Sequence, residues 1–141
     1  MTFMLHYNGL PPYLRFAYIF SVLLIVCHIV ALAALLYWQL VEPTNLTFKY
    51  WFKTPLHLDV FDSVTTAAVV GALFLVAQLI GLFMFISWIF QQGKRVYYLV
   101  FGLVVIGIWT YFMLPGIILF ALMLPEASLH HFGLLSFEDL F

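Results

Sequence analysis

Three stretches of this chain, residues 16–40, 64–90 and 96–124, are almost wholly apolar and hold no lysine, arginine, aspartate or glutamate. A helix needs roughly 20 residues to cross a hydrocarbon core of about 30 Å, and each run is longer than that. At that depth no water can satisfy the backbone, so each amide and carbonyl must pair within its own segment, which makes each run a helix. Composition agrees. The 141 residues are 66% apolar and 8% charged, with mean hydropathy +1.13, whereas a soluble domain carries about 25% charged residues. There is too little polar surface here to cover a globule in water. The sequence therefore predicts an all-α integral membrane protein, one membrane domain over residues 1–141. Its partner in the first instance is the lipid bilayer.

The boundaries of the runs carry physical markers. Tyr13 and Tyr18, with Tyr37 and Trp38 at the far end, read as aromatic belts of the first span. Asp62 or Ser63 is placed to cap the second, and "QQGKR" at 91–95 makes a tight polar turn before the third. Pro115 falls inside the third run and removes a backbone donor there. The expectation is one long third helix kinked at Pro115. Pro125 ends it. An "ALA" at 31–33 resembles a signal-peptidase site, but the apolar run continues past it, well beyond the 7–15 residues of a signal h-region.

Three spans would put the N-terminus and the 91–95 turn on one side, and the 41–63 loop and the 125–141 tail on the other. The first side holds Arg15, Lys94 and Arg95; the second holds Lys49 and Lys53 with all six acids of the chain. The positive-inside rule then gives N-terminus in and C-terminus out, in a bacterial or mitochondrial inner membrane.

Polar residues recur at mid-depth. The first run is centred on His28, the second on Ala77 beside Gln78, and the third on Thr110. His28, Gln78, Thr110 and Tyr111 form the candidate interhelical cluster, because polar groups at that depth turn inward and find partners. Such bonds are worth about 0.6 kcal/mol on average, enough to fix rotation and register. Small residues allow close approach nearby: Ala67 and Gly71 four apart, then Gly81 three after Gln78. The alternative role for His28 is axial ligation of haem b, or a quinone or proton site. No second histidine lies in a run, so the other haem ligand would have to come from another subunit.

Other chemistry finds little support. Cys27 is the only cysteine, which excludes an intrachain disulfide, and adjacent helical residues point about 100° apart, so Cys27 and His28 do not close on one metal. No zinc spacing, phosphate loop or nucleophile set is present. The net charge of −1, with no basic stripe, excludes a nucleic-acid partner. The chain does not read as an enzyme.

The segments outside the runs are aromatic. In "TNLTFKYWFKTPLHLDVF" at 44–61, apolar Leu46, Phe48, Tyr50 and Phe52 alternate with Thr47, Lys49, Trp51 and Lys53, the spacing of an extended interfacial piece. The acidic tail, amphipathic if helical, adds Phe132 and Phe137. Phe48, Tyr50, Trp51, Phe52, Phe132 and Phe137 are the candidate partner-docking residues, since exposed aromatics anchor interfaces. Together these features point to a small accessory subunit of a larger respiratory or transport complex. A redox anchor at His28 and a small oligomeric transporter or channel are the alternatives.

Overall fold

The structure, a computed structural model, describes residues 7–53, 63–91, 93–110 and 113–140. Every regular element among them is helical: α1 (Pro12–Leu40), α2 (Leu46–Lys53), α3 (Val64–Trp88), α4 (Arg95–Thr110), α5 (Met113–Leu122), α6 (Glu126–His131) and a 3-10 turn at Phe137–Leu140.

Among the described residues two helices are long and apolar enough to cross a membrane, α1 with 29 residues and α3 with 25. At 1.5 Å per residue they measure about 43 and 37 Å. Pro12 occupies the first turn of α1, where its missing N–H has no acceptor to lose. The Arg15 guanidinium folds back to donate to the Leu10 carbonyl at 2.9 Å and to that of Asn8, tying the preceding segment to the helix. As expected from sequence, Ser63 caps α3, its Oγ accepting from the Thr66 N–H; Asp62 lies outside the described residues. The helices run antiparallel. Leu35 and Trp38 of α1 meet Ala67, Ala68 and Leu75 of α3, while Leu10 and Leu14 meet Phe85 and Ile89 at the other end. Inward positions recur every three or four residues, as in Leu14, Ala17, Ser21, Leu24 and His28. Only 28% of the apolar stretch of α1 and 33% of that of α3 is buried, so large apolar side chains cover the outside as well.

The third run corrects the sequence reading. It is not one helix kinked at Pro115 but a hairpin. The Tyr97 hydroxyl donates to the Met123 carbonyl at 2.6 Å, although 26 residues of continuous helix would separate them by about 39 Å. A Cβ on Gly116 would stand 2.8 Å from Val104 Cγ2 and 3.3 Å from Val104 Cα. The chain thus reverses between α4 and α5, and α5 returns antiparallel along α4. Pro115 is the third residue of α5. The first four N–H groups of a helix have no intrahelical acceptor, so a proline there begins the returning helix without cost. With 16 and 10 residues, α4 and α5 measure about 24 and 15 Å, short of a span.

The hairpin also moves the tail. The sequence reading put the two ends of the chain on opposite sides; the structure brings Leu10, Leu14, Ile89, Val96, Met123, Leu129 and Phe132 into one core at the same end of the bundle. Gly93, at φ +112°, turns the chain between α3 and α4 and donates its N–H to the Phe132 carbonyl at 2.8 Å. His131 Nε2 donates to the Ile89 carbonyl at 2.8 Å, and Ser128 Oγ to that of Leu122 at 3.1 Å. Gly133, at φ +81°, closes α6: its N–H reaches the His130 carbonyl while the Leu134 N–H reaches that of Leu129. That pair of bonds needs a left-handed residue after the helix, which favours glycine.

At the opposite end, the alternating segment 46–53 is a helix and not an extended piece. Asn45 starts it, its Oδ1 accepting from the Thr47 N–H at 2.8 Å while its Nδ2 donates to Glu42. One capped turn overrides a period-two pattern of only eight residues. Phe52 stacks on Trp38, ring centroids 5.6 Å apart at 12°.

Candidate functional site

Antiparallel pairing of two runs whose midpoints are His28 and Gln78 places both at one depth. Each is 2% exposed. His28 Nδ1 lies 2.7 Å from the Leu24 carbonyl, one turn back, and Nε2 lies 3.1 Å from Gln78 Oε1. Both facing atoms are oxygens, and the neutral ring donates to one of them through the nitrogen that carries its proton. The structure thus brings His28 and Gln78 together.

The hairpin completes the site. Leu103 of α4 presses on α3 beside it: a Cβ on Gly81 would come within 2.5 Å of Leu103 Cδ2. Leu103, Pro115, Gly116 and Leu119, with Leu24 and Leu82, then wall a cavity of about 20 Å³ against His28 and Gln78. A space of 10–15 Å³ or slightly more holds roughly one water. From the third run the cavity therefore receives apolar side chains. Tyr111 and the side chain of Thr110, the other two members of the expected cluster, lie outside the described residues.

An axial haem ligand must offer the lone pair of a ring nitrogen. In His28 one nitrogen faces the Leu24 carbonyl and the other the Gln78 amide, and the adjoining space is the size of a water and not of a macrocycle. Among the described residues no three His, Cys, Asp or Glu side chains are grouped to hold a metal. Cys27 is exposed while its neighbour His28 is buried, as the 100° step between them requires.

The candidate docking aromatics separate. Tyr50 is 78% exposed and free to meet a partner. Phe52 is half-buried on Trp38. Phe132 is 1% exposed, packed edge-on to Tyr97 with centroids 5.4 Å apart, so it belongs to the chain's own core and offers no docking surface. The side chains of Phe48, Trp51 and Phe137 lie outside the described residues.

Sequence reasoning passed over three polar atoms. Ser21 Oγ, Trp38 Nε1 and Gln39 Nε2 are buried without a hydrogen-bond partner among the described residues. Ser21 stands seven residues before His28, on the same helical face, a spacing that could have marked it. The Pro-Gly pair at 115–116 likewise marks the returning helix. No protein-family model matches the chain, and no curated protein and no solved structure matches it.

Proposed function

We propose that this chain is an integral membrane protein of two spans and one re-entrant helical hairpin, and that it serves as a non-catalytic accessory subunit of a larger membrane complex, respiratory or transport. The membrane reading is supported by Phe16, Val30, Leu73, Phe101 and Leu114, all more than half exposed and spread over four helices. A soluble monomer rarely shows so extended an apolar surface. Arg15, Lys94 and Arg95 stand at the hairpin end, against Lys49 and Lys53 at the other, so the hairpin end faces the cytoplasm or matrix of a bacterial or mitochondrial inner membrane. Both termini then lie inside, in place of the C-terminus-out arrangement that three spans would give.

The observation that carries the structural role is the internal pairing of His28 with Gln78 beside a water-sized space. A carrier or redox site keeps its mid-depth polar groups facing a substrate-sized cavity. Here they face each other, and they lock α1 to α3. Exposed Tyr50 and Leu46 on α2 are the available anchors for neighbouring subunits.

The test is mild-detergent purification of the tagged chain from its native membrane, with mass spectrometry of its companions and an absorbance spectrum. Stoichiometric companions and no Soret band are expected. Recovery of the chain alone, or a Soret band abolished in His28→Ala, would overturn the accessory role.

A further inference from the structure

At the end of the bundle away from the hairpin, α1 and α3 enclose an apolar groove of about 370 Å³. It faces outward. Ala72, on its wall, stands nine residues from Gly81, which touches the hairpin, and nine steps of 100° project the two to opposite sides of α3. Leu35, Leu36, Val69 and Ala72 line the part toward mid-depth. The polar lining residues Gln39 and Thr65 each stand one residue from a helix end, beside Leu40 and Val64. Where the spans end the groove carries Gln39 and Thr65 among apolar Leu40 and Pro43, and for about 10 Å inward, the length of seven helical residues from Thr65 to Ala72, its lining is apolar alone. Its volume lies within the roughly 300–1,000 Å³ of small-molecule sites.

We propose that the groove holds one acyl chain of a membrane phospholipid, whose ester carbonyl accepts a hydrogen bond from the Gln39 side-chain amide. This rests on the membrane reading above. The polarity gradient runs as it does in a lipid, with the carbonyl at the helix ends and methylenes toward mid-depth. Gln39 Nε2 is buried without an acceptor among the described residues, and Gln39 is one of the residues that line the groove. A neutral donor suits an ester carbonyl; a phosphate would call for lysine or arginine, and the lining has neither.

The test uses the full chain in nanodiscs of phosphatidylcholine, doped with phosphatidylcholine carrying a diazirine along one acyl chain. After photolysis, peptide mass spectrometry compares Leu35, Leu36 and Val69 with Ile29 and Phe101, exposed positions outside the groove. Label should concentrate on the groove. Val69→Trp, a change at an exposed position, should remove that excess and leave Ile29 labelled; Gln39→Leu should lower it about fivefold, the loss of one net hydrogen bond. Even labelling, or a groove that stays unlabelled while Ile29 reacts because the chain's own 54–62 segment fills it, would overturn the proposal. Displacement of the label by equimolar decylubiquinone would overturn it in favour of a quinone. Absence of label at every position would instead mean that the membrane reading has failed.

Discussion

Residues 16–40 and 96–124 are alike by composition: each is apolar, free of charge, and long enough to cross a bilayer. One is a continuous helix and the other a hairpin. Hydropathy therefore fixes which solvent a segment prefers, and a few local residues decide how it is threaded. In α1 the inward face is regular, and its only proline inside the helix is at the first residue. In 96–124, Pro115 stands where a new helix can begin, and Gly116 lets that helix pass against the backbone at Val104. Tyr97 then closes the open end by donating to Met123.

The contrast can be broken most strongly at the foot of the hairpin. Phe132→Ala empties a fully buried site against Tyr97 and should cost about 3–5 kcal/mol, read as a lower thermal midpoint in detergent. Gly116→Val should cost about 1–3 kcal/mol through overpacking against Val104, and weaken a disulfide engineered between α4 and α5. Gln78→Leu leaves a buried His28 ring nitrogen unmatched, a loss of about 1–3 kcal/mol; in His28→Leu/Gln78→Leu together, most of that loss should disappear, a comparison made by a double-mutant cycle. At the exposed position Leu23 of α1, Leu23→Ala should change the midpoint by less than about 0.5 kcal/mol, because no packed neighbour is lost. A large effect there would mean that this face is covered by protein.

Much of this was legible in the sequence, and the failures share a cause. The bounds of α1 and α3, the Ser63 cap and the His28–Gln78 pair follow from run length, capping chemistry and the midpoints of antiparallel helices. The hairpin does not, because a proline at the third position of a helix and a proline that kinks one look alike until the partner of each backbone carbonyl is known. The tail followed the hairpin into error. Phe132 reads as an exposed anchor only while the tail is thought to hang free, and it is the antiparallel return of α5 along α4 that brings it to Tyr97 and Ile89. At α2, a pattern of eight residues was too short to outweigh a single asparagine cap.

The proposed re-entrant placement of the hairpin is tested most directly by cysteine topology mapping. In a Cys27→Ser background, single substitutions Asn8→Cys, Lys49→Cys and Ser136→Cys are probed with a membrane-impermeant maleimide in sealed vesicles of known orientation. A hairpin predicts that positions 8 and 136 react from the same side and position 49 from the other. Positions 8 and 136 reacting from opposite sides would mean that residues 96–124 cross the membrane once, and would contradict the fold described here.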